Sequence, residues 1–151
     1  MSNATETNLS PAEVRDFRRI AGIMIPSSVE FDVPGADDAV IFGDIVRSLG
    51  RDLGSVRAAL ARLAALSDGS FSELDETRGE AVAAAFLASD APEVTVLGRV
   101  VLQCYYRDDR VMRSIGMEPR PPFPKGHTLE QGDWSLLDPV RAMPKLWRDA
   151  P

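Results

Sequence analysis

Cysteine and histidine each occur once in the 151 residues, as Cys104 and His127. A single thiol cannot close an intramolecular disulfide. Zinc, haem and iron–sulfur sites draw about two to four soft ligands from the protein, so no metal or cofactor ligand set is expected in this chain. Lysine is nearly as scarce, with only Lys125 and Lys145, and the net charge is −6. Nucleic-acid binding needs a concentrated basic face to displace phosphate counterions, and the arginines here are dispersed among acids. No apolar run approaches the ~20 residues of a membrane span. These absences leave a small soluble domain that takes no nucleic acid and crosses no membrane.

What is present has helical rhythm. Hydrophobic residues make up 44% of the chain and charged residues 26%, the balance of an ordinary folded domain. Residues 1–9 are polar and expected to fray. Ser10-Pro11-Ala12-Glu13 is a capping box with proline at the first helical position. Val14, Phe17, Ile20, Ala21 and Met24 follow at helical spacing until Pro26. Asp37 and Asp38 suit the start of a second helix with Val40, Ile41, Ile45 and Leu49 inward and Gly50 as a left-handed cap. Leu53, Val56, Leu60 and Leu63 mark a third, ending near Ser67-Asp68-Gly69. A fourth is expected from Ser72 to Ala88 with Leu74, Val82, Ala85 and Phe86 inward. A fifth, Glu93 to Tyr106, carries Val94, Leu97, Val101 and Cys104. Asp108 caps a short sixth through Val111, Met112 and Ile115, closed by Gly116. The valines of residues 94–102 suit a strand, but the 3.6-residue period across the segment outweighs them. The expected fold is an all-α bundle of five to six helices over residues 10–116.

Residues 117–151 differ. They show no sustained period, yet hold seven of the eleven prolines and both tryptophans. Disordered tails are poor in aromatics, and a long structureless loop inside a domain is rare. An extended, proline-rich arm with Phe123, Trp134 and Trp147 as anchors is the pattern of a wrapped interface. At ~3.3 Å per residue it reaches roughly 100 Å.

The tail also carries longer motifs. Pro121-Pro122-Phe123-Pro124-Lys125-Gly126 and then Gly132-Asp133-Trp134-Ser135-Leu136-Leu137-Asp138-Pro139-Val140-Arg141 resemble the C-terminal signature of the gluconate 2-dehydrogenase subunit 3 family. Cys104-Tyr105-Tyr106 with Asp108 to Gly116 is similar to that family's tyrosine-pair segment. Ile25-Pro26 with Pro34-Gly35-Ala36-Asp37 resembles its N-terminal segment. The resemblance implies a small subunit without a cofactor of its own, which supports the maturation, stability or export of a large flavoprotein. That partner, of the glucose–methanol–choline type, would bind FAD and oxidise a sugar or alcohol CH–OH group; some complexes of the family add a cytochrome c subunit. A transient helical chaperone or export escort for the flavoprotein is the alternative.

Individual residues agree with a non-catalytic role. Arg18-Arg19 before Ile20–Ile25 is similar to a twin-arginine export signal, but the apolar run ends after six residues and Glu13 and Asp16 lie upstream. The first helix is therefore the expected reading, in a cytoplasmic complex; a periplasmic one would follow if the complex is exported. His127 with Asp133 or Glu130 lacks a nucleophile or phosphate cradle, so no catalytic residue is assigned. Cys104 reads as a buried hydrophobe. The acidic pairs at 37/38, 75/76 and 108/109 read as helix starts. The residues expected at the partner interface are Tyr105, Tyr106, Pro122, Phe123, Pro124, His127, Trp134, Leu137 and Trp147.

Overall fold

The structure, a computed structural model, describes residues 9–121, 123–126 and 130–145. Of residues 1–9, expected to fray, 1–8 lie outside them, and Leu9 is a correction: its side chain is buried in the core just before the first helix. The chain divides into two units between Pro119 and Arg120. In the first, six helices follow in order: α1 (Pro11–Met24), α2 (Ala39–Arg47), α3 (Leu53–Ser67), α4 (Glu76–Leu87), α5 (Pro92–Tyr105) and α6 (Asp109–Ser114). No strand occurs among the described residues, only an antiparallel bridge between Ser28 and Val33. The all-α bundle is as expected. No single described helix is long and apolar enough to cross a membrane.

The helix starts follow from their caps. The Ser10 hydroxyl accepts the Glu13 N–H at 3.2 Å while the Glu13 carboxylate accepts the Ser10 N–H at 2.7 Å, the full capping box. Asp38, Asp75 and Asp108 cap α2, α4 and α6. α3 is the hub of the unit, packing against α1, α4 and α5, while α2 lies on α5. Phe17, Ile20, Ile45, Val56, Leu63, Phe86, Leu97 and Val101 are completely buried between them. Each such side chain contributes about 1.5–3 kcal/mol by leaving water, which is why the periodic apolar positions determine the packing.

Four further expected details are corrected. Val40 is exposed and Phe42 is buried in its place, because the Asp38 cap sets a register in which 41, 42 and 45 share the inner face. Gly50 is left-handed at φ 40°, but α2 already ends at Ser48, and Gly50 opens a 3-10 turn over Gly50–Asp52. α4 begins at Glu76, after a separate 3-10 turn over Phe71–Glu73, and it turns Gly79, Ala83 and Phe86 inward, leaving Ala85 exposed. Ile115 is exposed beyond the end of α6.

Between α3 and α4 the chain reverses through residues 68–75, where backbone groups lack helical partners. α1 supplies them. The buried Asp16 carboxylate accepts the Ser72 N–H at 2.7 Å and the Ser70 hydroxyl at 3.1 Å. One turn on, Arg19 donates to the carbonyls of Phe71 at 2.8 Å, Leu74 at 2.6 Å and Asp75 at 3.2 Å. Its guanidinium stacks 5.1 Å from the Phe71 ring centroid. Gly79 lies opposite, where a Cβ would overlap the Arg19 guanidinium and displace it. The neighbouring Arg18 donates to the Asp37 carbonyl at 2.9 Å and lies over Phe42. The twin arginines thus sit in α1 and brace the fold.

Among its described residues the second unit holds a 3-10 turn over Trp134–Leu137 running directly into α7 (Asp138–Arg141). The tail is therefore not extended throughout, although sequence periodicity shows no helix there.

Arg19→Ala would leave the Leu74 carbonyl without its donor and remove a second donor from the Phe71 and Asp75 carbonyls, which keep the Leu74 and Gly79 N–H groups. It is expected to destabilise the body by about 1–3 kcal/mol, read from urea unfolding followed by circular dichroism. Gly79→Ala should lose stability in the same assay, because Arg19 would have to leave its carbonyls.

Candidate partner interface

The tyrosine pair is split by the fold. Tyr105 is 5% exposed, and its hydroxyl donates to the Pro34 carbonyl at 3.2 Å. Its place at the partner interface is therefore corrected: it anchors the loop between α1 and α2 inside the body, and burial raises its pKa. Tyr106 is half-exposed, edge-on to Tyr105 with ring centroids 5.4 Å apart, and only this member of the pair reaches the surface.

Cys104 is buried on the inner face of α5, as its position on the apolar stripe predicts. Burial, the largest influence, pushes its thiol up against the opposing pulls of a Ser48 hydrogen bond and the Arg107 charge. A thiol so held is a poor nucleophile. Arg107 donates to the Cys104 Sγ at 3.5 Å as well as to Asp44 at 2.6 Å and Ser48 at 2.8 Å, which ties the end of α5 to α2.

The body carries an open cleft of about 750 Å³ between the loop after α1 and helix α6. Ser27, Ser28, Asp32, Arg110, Arg113 and Ser114 line it together with the apolar Val29, Val33 and Pro34. Arg110 bridges Asp38 at 2.8 Å and Asp108 at 2.9 Å, joining the caps of α2 and α6, and Arg113 pairs with Asp109. The Ser28 hydroxyl accepts the Phe31 N–H and the Ser114 hydroxyl donates to the Val111 carbonyl, so these groups, like the two guanidiniums, are engaged in structure. No group of three potential metal ligands occurs among the described residues. His127, Pro122 and Trp147 lie outside the described residues, so the expected pairing of His127 with Glu130 or Asp133 has no geometry here. Asp133 has another role: its Oδ1 accepts the Ser135 N–H at 3.0 Å and the Ser135 hydroxyl at 2.6 Å, and these bonds depress its pKa.

The tail contrasts with the closed body. Every described residue from Pro121 onward is exposed. Phe123 is 85% exposed, and Trp134, Leu136, Leu137, Val140 and Met143 are between 41% and 74% exposed. Phe123, Trp134 and Leu137 were expected from sequence; Leu136, Val140 and Met143 were not, and Pro124 is exposed beside Phe123. The missed residues belong to a face hidden by a change of period. Successive residues are about 120° apart in a 3-10 turn and about 100° apart in an α-helix. Trp134 and Leu137 consequently eclipse one another, and Leu136, Val140 and Met143 complete an apolar arc of about 120°. Ser135, Asp138 and Arg141 occupy the remainder. On the body, sequence reasoning also missed the loop tip, where Val29 is fully exposed and Phe31 is 66% exposed.

Arg110 hydrogen bonds hold the Asp38 and Asp108 carboxyls below the ordinary aspartate value of 3.8. A depressed folded-state pKa contributes stability that is present above the unfolded value and lost as pH falls through the folded one. Arg110→Gln is therefore expected to move the acid-unfolding midpoint of the body to higher pH. Because the pairs are partly exposed, the loss at neutral pH should stay within about 1 kcal/mol. Acid titration followed by circular dichroism measures the first and urea unfolding the second.

No family model, curated protein or solved structure matches this chain.

Proposed function

We propose that this chain is a non-catalytic small subunit that stabilises and assembles an FAD-dependent sugar or alcohol dehydrogenase of the glucose–methanol–choline type, in a cytoplasmic complex. The cofactor and the catalytic base belong to the large flavoprotein subunit, and a cytochrome c subunit is an optional third member. The observation that carries the assembly role is the exposure of Phe123, Trp134, Leu136 and Leu137 on a tail whose described residues are all accessible. Exposed large aromatics grouped in this way mark interaction sites, and tryptophan is enriched among the residues that dominate binding. The identity of the partner rests on the resemblance of the tail motifs and of the Cys104–Gly116 segment. The two arginines of the body's cleft are paired with carboxylates, which agrees with a structural role for them.

Deletion after Pro119 separates this role from a core-completing one. The body keeps its apolar interior, so the truncated chain should retain its helical circular dichroism while losing co-purification with the flavoprotein. Trp134→Ala alone should weaken the complex by about 2 kcal/mol or more, roughly thirtyfold. Melting of the truncated body would assign the tail to the chain's own core instead. A stable subunit should co-elute in a fixed stoichiometry with active enzyme; an escort would be sub-stoichiometric and dispensable once the flavoprotein has folded.

A further inference from the structure

The segment from Asp133 to Met143 is ordered by its own bonds. Asp133 Oδ1 holds the Ser135 N–H and hydroxyl, so the 3-10 turn starts at a side-chain cap. Leu136 N–H reaches the Asp133 carbonyl at 3.3 Å. Pro139 stands in the first turn of α7, where its missing N–H costs nothing. Arg141 pairs with Asp138 at 3.1 Å, and Ala142 N–H closes on the Asp138 carbonyl at 3.0 Å. Isolated helices this short are marginal in water. Local bonds at every second or third residue prepare the shape, and an external surface must complete it.

The faces identify that surface. Trp134, Leu136, Leu137, Val140 and Met143 share one arc, so the cover comes from one side. At about 1.5–2.0 Å per residue the ten residues of that face span roughly 15–20 Å, the length of a single groove. Interfacial membrane helices are rich in lysine and arginine on the polar face. Here the polar face carries Asp133 and Asp138 against a single arginine that is already paired with Asp138, which disfavours an anionic bilayer. We infer that residues 133–143 form a preorganised amphipathic turn that docks into an apolar groove with a neutral-to-basic rim on the large partner subunit, and that Asp133 is its positioning residue. This rests on the assembly role proposed above and specifies where and how the tail binds. The mode is helix-in-groove recognition, in which side chains on one face carry the affinity.

The test uses the full-length chain with 5-hydroxytryptophan placed at position 134 and Trp147 intact, excited where ordinary tryptophan does not absorb, with and without the flavoprotein subunit. In the complex, emission from position 134 should shift to the blue and its quenching by acrylamide should fall severalfold. Leu136→Ser and Val140→Ser should each weaken the complex about tenfold or more. Asp133→Ala should weaken it about fivefold through loss of the cap, and Asp133→Asn should restore it, because an amide oxygen accepts the same bonds. A complex that forms while Trp134 stays as quenchable as in the free chain overturns the groove and leaves the subunit role standing. Failure of the flavoprotein to bind the full-length chain overturns both. A blue shift on vesicles of equal parts phosphatidylcholine and phosphatidylglycerol overturns the choice of a protein groove. A free chain whose Trp134 is already shielded, and whose melting temperature falls with Leu136→Ser, overturns it in favour of the chain's own body.

Discussion

Helix α1 grips the reversal between α3 and α4 with two opposite charges placed three residues apart. Asp16 takes the donors of that segment and Arg19 takes its acceptors, so residues 70–75 acquire partners without forming a long helix of their own. The grip determines where α4 begins, because the Leu74 and Asp75 carbonyls point to Arg19 while the Asp75 side chain caps the new helix. It also favours glycine at position 79, where the guanidinium lies against the α4 backbone. Buried charges are costly unless fully bonded, and among the described residues no buried side-chain polar atom lacks a partner. The apolar stripes of α1, α3 and α4 then meet in a single arrangement.

Elsewhere arginine serves as a tie between element ends. Arg107 joins α5 to α2, Arg110 joins the caps of α2 and α6, Arg62 reaches Glu93, and Arg99 reaches Asp52. A planar guanidinium with several donors suits this bridging better than an ammonium, and the described body uses arginine alone for it. Individually such partly exposed pairs contribute little. Together they occupy much of the dispersed positive charge noted in the sequence, which explains why that charge gathers into no binding face.

Body and tail apply one set of physical rules to opposite ends. In the body, caps and periodic apolar positions agree, and the stripe of each helix is covered by another helix. In the tail, a side-chain cap is present at Asp133, Pro139 stands in the first turn of α7, and an apolar face is present, but each of its side chains remains accessible. Local order with an uncovered face is the arrangement expected of a binding element that reduces the entropy lost on association. The proposed partnership with a flavoprotein draws its chemistry from that face and its identity from the resemblance.

Much of the body was legible from residue order alone, because the signals there are local. Ser10-Pro11-Ala12-Glu13 announces α1, the i, i+3, i+7 leucines and valine announce α3, and Cys104 on the α5 stripe announces its own burial. Capping and periodicity act within a few residues, so a linear reading captures them. The face at 134–143 escaped because it changes pitch midway, from three residues per turn to 3.6, and no single period describes it. Tyr105 escaped for a different reason: its hydroxyl is satisfied by the Pro34 carbonyl, distant in sequence, and only packing brings the two together. Asp16 and Arg19 likewise look like ordinary surface charges on a helix until residues 70–75 fold onto them. What the sequence determined by itself was the number of helices in the body, most of their starts and the inner stripes of α1, α3 and α5, whose causes are local. Which polar side chains became internal, and which apolar face was left open, depended on long-range closure and was decided only by the tertiary structure.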